Sequence, residues 1–206
     1  MIENYQQQVD KIKKFRQKLF AFYTSYSRET KDILSFISLE NGAQPPKEMH
    51  IYNYKKGYVR FIQNRDYSSS SHLTFIPISK NNHICNKKDI MMDKYGEAGA
   101  IRYGLDGAYN VALVKIIPTF NYMKEYIRDF LSQSSIKNIL FSSSQASTRA
   151  SLNESTFKAL KFPVLTEEKF NEYQKKLEYI LDYELSVLDK IEKLKEIKSK
   201  LLEKYF

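Results

Sequence analysis

The sequence holds one cysteine, six glycines, five prolines and no long apolar run among its 206 residues. A single thiol, Cys85, excludes an intrachain disulfide and fits a reducing compartment. His83 stands two residues before it, but a structural zinc site takes about four ligands and no second pair follows at ligand spacing. No metal is expected, and Cys85 reads as a small, half-buried side chain. No segment approaches the roughly 20 apolar residues that span a bilayer. The start, Met1-Ile2-Glu3-Asn4-Tyr5-Gln6, is polar where a secretory signal is apolar. The expectation is a cytoplasmic protein with no membrane partner.

Catalytic signatures are equally scarce. Four glycines, Gly96, Gly99, Gly104 and Gly107, crowd into twelve residues, where tight turns between short strands need positive φ. No Lys-Ser or Lys-Thr and no strand-to-helix step follows, so they form no phosphate loop. An adenine methyltransferase grips a flipped base with Asn or Asp before Pro-Pro and an aromatic ring. Gln44-Pro45-Pro46-Lys47 has the prolines without either flank. Glu167-Glu168-Lys169 and Glu196-Ile197-Lys198 match half of a nuclease motif, inside a segment where both residue types abound. There is no nucleophile elbow. The residues assign no catalytic role and no cofactor, although a dispersed triad is a matter of geometry rather than order.

What is present is an ordinary soluble composition, 42% hydrophobic and 28% charged, and a length suited to one domain plus extra helix. The net charge of +9 is unevenly placed. Residues 166–206 carry nine Lys/Arg and ten Asp/Glu, residues 1–30 six and three, and residues 31–165 eighteen and eleven. This pattern suggests a middle that binds polyanions and an end that binds protein.

At the C-terminal end apolar residues step by three and four through Phe170, Tyr173, Leu177, Ile180, Val187, Ile191, Leu194, Leu201 and Tyr205, with Glu184 and Lys198 as polar exceptions. Leu181, Leu188, Ile197 and Leu202 widen the stripe. The pattern predicts one coiled-coil-like helix about 60 Å long. Thr166 is placed to cap it, Glu167 and Glu168 suit its positive end, and Leu165 can staple to Phe170. So wide a stripe needs a partner, either the body of the protein or another helix. Ile2, Tyr5, Val9, Ile12, Leu19 and Tyr23 predict a shorter amphipathic helix ending near Ser25–Ser27, with Arg16 as a polar member of its stripe. Between the helices, 58–62, 73–78, 89–92, 100–103 and 111–117 read as strands and 121–133 as a helix. The fold class is α+β, a mixed α/β domain over 28–164 with strands predominating, between an N-terminal helix over 1–27 and a C-terminal helix over 165–206.

Several stretches resemble the target-recognition domain of type I restriction-modification specificity subunits. Tyr58-Val59-Arg60-Phe61-Ile62-Gln63-Asn64-Arg65-Asp66-Tyr67 is similar to that family's strand ending in a polar, often acidic, dipeptide. Asp89-Ile90-Met91-Met92 followed by Tyr95-Gly96-Glu97-Ala98-Gly99-Ala100 resembles its Asp-Ile-hydrophobic and Gly-x-x-Gly element, and Gly107–Leu113 the strand after it. Ser144–Asn153, Leu160-Lys161-Phe162-Pro163-Val164 and the Glu-led helix to Leu201-Leu202-Glu203-Lys204-Tyr205-Phe206 resemble its polar loop, its strand into proline and its spacer helix. The resemblance covers residues 33–206. It departs in having one proline in the strand and no glycine in the loop. It also has one recognition domain where a full subunit carries two, so the chain resembles a half-subunit.

The resemblance implies a non-catalytic DNA-recognition protein that reads one half of a split site. Its partners would be double-stranded DNA, a methyltransferase (modification) subunit and, through that complex, a restriction/translocase subunit. It would pair with a second copy or another half-subunit through the long helix at Leu177, Ile180, Val187, Ile191, Leu194 and Leu201. Candidate base contacts are Gln63, Asn64, Arg65, Gln145, Thr148 and Arg149, whose amide and guanidinium groups match adenine and guanine edges. Lys55, Lys56, Lys94, Tyr95 and Arg102 suit phosphate or stacking. From the residues alone, a coiled-coil interaction adaptor and a stand-alone DNA-binding regulator stay open.

Overall fold

A computed structural model of the chain describes residues 1–69, 72–145 and 151–205. Thr148 and Arg149 lie outside the described residues. In chain order the elements are α1 (Ile2–Thr24), β1 (Glu29–Asp32), β2 (Ile37–Asn41), β3 (Tyr58–Ile62), β4 (Phe75–Pro77), β5 (Ile84–Cys85), β6 (Ile90–Asp93), β7 (Ile101–Arg102), β8 (Gly107–Tyr109), β9 (Leu113–Pro118), α2 (Lys124–Leu131), α3 (Ser134–Gln145), α4 (Glu154–Phe157), β10 (Lys161–Val164) and α5 (Glu167–Tyr205). The α+β architecture is the one expected, a sheet domain held between helices.

The strands form two four-stranded sheets, in the orders β2-β9-β6-β7 and β4-β3-β8-β5, and a two-stranded ribbon of β1 and β10. β6 joins the two sheets' packing. All four of its residues are buried, and strand alternation sends Ile90 and Met92 into the main core while Met91 joins Ile62, Cys85, Tyr109 and Leu113 in a second cluster. Its first three residues are therefore apolar on both faces, and the buried Asp93 that ends it is paired with Arg102. In the second sheet β3 pairs β8 in parallel, Phe61 opposite Ala108. Gly107 opens β8 at φ 152°, where a Cβ would stand 2.5 Å from the Arg60 carbonyl oxygen. Only glycine permits so close a pairing.

α5 contains 39 residues, about 58 Å at 1.5 Å per residue. Its cap is the expected one, since the Lys169 amide donates to Thr166 Oγ1 at 3.4 Å. Leu165 and Phe170 share the main core. Along its first two-thirds the stripe is covered from inside the chain. Phe170, Tyr173 and Leu177 enter the main core beside α2 and β10, and Val187 and Ile191 pack on Val9 of α1. Tyr23 meets Tyr173 edge-on at 5.1 Å, and Tyr183 Oη donates to Gln8 Oε1 at 3.0 Å. The two helices therefore run antiparallel. Beyond Ile191 the cover ends. Leu194 is half-buried, and Ile197, Leu201 and Leu202 are about half exposed.

Candidate nucleic-acid interface

The rigid base of the domain is a buried ionic hub. Arg16, kept from solvent on α1, donates from Nε to Asp129 Oδ1 at 2.8 Å and from Nη2 to Glu125 Oε2 at 2.7 Å. Arg128 Nε also reaches Glu125 Oε2, at 3.1 Å, and its Nη2 donates to the Lys88 carbonyl at 2.6 Å. Tyr173 Oη donates to Asp129 Oδ2 at 2.6 Å, and Tyr103 Oη to Glu184 Oε1 at 2.6 Å. Burial pushes the Glu125 carboxyl up, but the Arg128 and Arg16 guanidiniums outweigh it and hold the group below its usual range. The hub ties α1, α2, α5 and the β6–β7 hairpin into one body. Two of the three polar exceptions to the helix periodicity, Arg16 and Glu184, belong to it; the third, Lys198, is exposed near the end of α5.

On that base, one end of the two sheets gathers polar side chains. The turn after β8 is the centre, because Asn110 N donates to Ile62 O at 3.0 Å and Ala112 O accepts from Lys94 N at 2.8 Å. These bonds bring the end of β3 and the end of β6 to the same place. After β3 the chain makes a 3-10 turn, Asn64–Tyr67. Asp66, buried beneath it, accepts from Gln63 N at 2.9 Å, and Arg65 Nε lies 3.7 Å from its Oδ1. Burial raises the Asp66 carboxyl above its ordinary value. Asp66 thus fixes the turn that displays its neighbours. Arg65 points about half-exposed into solvent, Gln63 Nε2 lies 3.5 Å from Thr74 Oγ1, and Asn64 Oδ1 is buried without a partner.

Lys94 Nζ donates to Asn41 Oδ1 at 2.8 Å and sits 5.9 Å from the Tyr95 ring centroid. Burial lowers its ammonium below the usual lysine value. Leu152 N donates to Lys94 O at 3.3 Å. The structure thus brings together Gln63, Asn64, Arg65, Lys94 and Tyr95 from the sequence's candidates. It places the others elsewhere. Lys55 and Lys56 are exposed ahead of β3, at the strand's other end. Arg102 is engaged within the protein, its Nη2 2.8 Å from Asp93 Oδ2 and 3.2 Å from Glu97 Oε2. Gln145 is the exposed last residue of α3 rather than part of an open loop. The sequence did not mark Asn41 or Asn110 as contacts, though they complete this end; Asn41 closes β2 and Asn110 follows β8.

Cys85 is fully buried, its Sγ 3.7 Å from the Leu105 carbonyl oxygen, and burial pushes the thiol up to about 12. Such a thiol is inert. Among the described residues no group of three or more His, Cys, Asp or Glu stands in metal-binding geometry, and no helix is long and apolar enough to cross a membrane.

Over residues 26–202 the chain matches the model of the type I restriction modification DNA specificity domain. The chain belongs to that family. Its fold is similar to the type I restriction-modification S subunit of M. genitalium, with a TM-score of 0.63 at 15% identity over 100% of this chain and 57% of that one. It is also similar to the HsdS subunit of Thermoanaerobacter tengcongensis, with a TM-score of 0.55 at 12% identity over 98% of this chain and 54% of that one. The specificity-domain chain therefore spans little more than half the length of these structures. No curated protein matches it in sequence.

Proposed function

We propose that this chain is a DNA-recognition unit of a type I restriction-modification system, that it reads one half of a bipartite target, and that chemistry belongs to its partners. The observation that carries the reading is the convergence, at one end of both sheets, of Gln63, Asn64, Arg65 and Lys94 in a chain of the DNA specificity family. Amide and guanidinium groups on a turn pinned by the buried Asp66 suit the direct reading of base edges, while lysine and tyrosine hold the backbone. The antiparallel pair α1–α5 is the rigid arm that sets the domain's position and meets methyltransferase subunits. The uncovered end of α5, from Leu194 onward, is where a second copy or another half-subunit attaches, so that two recognition domains stand a fixed distance apart.

The test is a binding selection from a randomised duplex library, followed by affinity measurements on the enriched and a scrambled duplex. Gln63→Ala and Arg65→Ala are expected to weaken the enriched duplex by about 1–3 kcal/mol and the scrambled one far less. Equal losses on both would assign these residues to phosphate instead. Light scattering of the chain alone and mixed with its methyltransferase tests the assembly. A monomer that takes up no methyltransferase removes the half-subunit reading in favour of a stand-alone regulator.

A further inference from the structure

From Met49 to Lys88 the chain carries seven Lys/Arg and a single acid, Asp66, and that acid is buried. The surface of the sheet β4-β3-β8-β5 is therefore supplied with cations and no exposed carboxylate from this stretch. Two of the seven face the arm, since Lys87 pairs with Asp189 at 2.9 Å and Lys88 with Asp182 at 2.5 Å. Arg65 lies over Asp66, and Arg60 has Nε and Nη2 buried. Lys55, Lys56 and Lys80 remain, exposed and without an ion pair among the described residues.

These three share one place. Ile51 and Phe75 exchange backbone hydrogen bonds at 3.0 and 2.8 Å, and Ile78 N donates to Gly57 O at 2.9 Å. The segment between, Tyr52–Gly57, is a strap laid beside β4, next to the turn that carries Lys80. That turn is fixed by Asn82 Nδ2 donating to Pro77 O at 2.9 Å and Asn81 N donating to Ser79 Oγ at 3.2 Å. Tyr52 and Tyr54 stand 71% and 73% exposed on the strap. Exposed tyrosine hydroxyls can donate to an oxyanion, and lysines without carboxylates nearby repel one another. A polyanion relieves the repulsion and accepts from the hydroxyls.

From these features we infer that the strap, with Lys80, is a second DNA contact that grips the phosphate backbone outside the bases being read. This rests on the DNA-recognition reading proposed above and extends it. β3 has five residues, so at about 3.3 Å each the Lys55–Gly57 end of the strap stands about 17 Å from the Gln63–Arg65 turn, about five base-pair steps of duplex. The strap makes the recognition domain's footprint longer than its read sequence. Lysine ammonium groups and tyrosine hydroxyls bind phosphate oxygens without regard to sequence.

The experiment compares the full chain with the Lys55→Ala/Lys56→Ala/Lys80→Ala variant in the same duplex selection, then follows affinity for enriched and scrambled duplexes across a potassium chloride series. All three side chains are exposed, and matched thermal melts verify the fold. The enriched motif is expected to be unchanged, with both duplexes weakened by the same factor, about 10- to 100-fold near about 0.1 M salt. The slope of log K against log salt is expected to be shallower by about two to three. An unchanged slope and affinity, with Gln63→Ala still losing sequence preference, overturns the strap contact and leaves the reading standing. A changed motif shows that the strap reads bases and overturns its sequence independence. If the unaltered chain binds neither duplex, the DNA reading itself falls.

Discussion

At the residue scale the chain's most consequential side chain is an arginine that its helix periodicity only tolerates. Arg16 bridges Glu125 and Asp129 inside the protein, so its loss would leave two buried carboxylates with only Arg128 as a cation and Tyr173 as a donor. Arg16→Met is expected to destabilise the protein by about 3–5 kcal/mol in urea unfolding, as for one partner removed from a buried pair. A loss under about 1 kcal/mol would reduce the hub to the worth of a surface ion pair. Glu184 differs from Glu125 in sign. Burial raises its carboxyl above the usual range, against Tyr103, Arg16, Lys13 and Arg128, which pull it down. The folded state then holds this proton more tightly than the unfolded chain. That contribution is complete below the unfolded value of about 4.3 and is lost as pH rises through the folded value. Glu184→Gln cannot ionise, so its melting temperature should gain on the unaltered chain as pH is raised from about 4 to 8. A gap that stays constant across the series would mean that Glu184 does not titrate differently on folding.

At the scale of elements the sheets depend on one close approach. Gly107→Ala would push a methyl against the Arg60 carbonyl oxygen at 2.5 Å with φ at 152°. Together the strain and overpacking are expected to cost about 2–4 kcal/mol. Near-UV circular dichroism and urea unfolding check this, and a wild-type midpoint would show that the β3–β8 pair can separate freely. Where an element has a strong local signal, the sequence discloses it. The stripe and Thr166 cap of α5 and the β-branched, aromatic run of β3 are both legible, and β3 is found over the same residues, Tyr58–Ile62. β1, Glu29–Asp32, is not, because Glu-Thr-Lys-Asp has no alternation and becomes a strand only by pairing with β10. α3 is missed for a related reason. Its serine-rich segment buries only Leu140 and Ser144, too little for a periodic stripe. The candidate site was partly legible for the same cause. The turn after β3 announces itself by Gln63-Asn64-Arg65, whereas its neighbours Lys94 and Asn41 become neighbours only when two sheets end together. Arg102 looked free in sequence because its partner Asp93 lies across a hairpin.

At the scale of the whole molecule the arm is covered on one side and bare at one end. Ile197 and Leu201 are 54% and 52% exposed, so replacing them should leave folding nearly untouched while removing any attachment there. Ile197→Asp/Leu201→Asp is expected to be monomeric by light scattering under conditions where the unaltered chain self-associates, with the melting temperature of the dilute protein changed little. Association unaffected by the double substitution would move the contact to another face.

The ribbon of β1 and β10 has a consequence of a different kind. Glu29 lies opposite Val164, so the polypeptide leaves the arm and rejoins it at a single doorway, and the stretch between is fastened to the arm a second time by the ionic hub on α2. Length inserted or removed in the loops of the sheet β4-β3-β8-β5, away from α2, need not disturb the alignment of α1 with α5. A chimera that exchanges the stretch between the two ribbon strands for that of another family member, while retaining Tyr103, Glu125, Arg128 and Asp129, should keep the same arm, accept the same neighbours, and carry a different address.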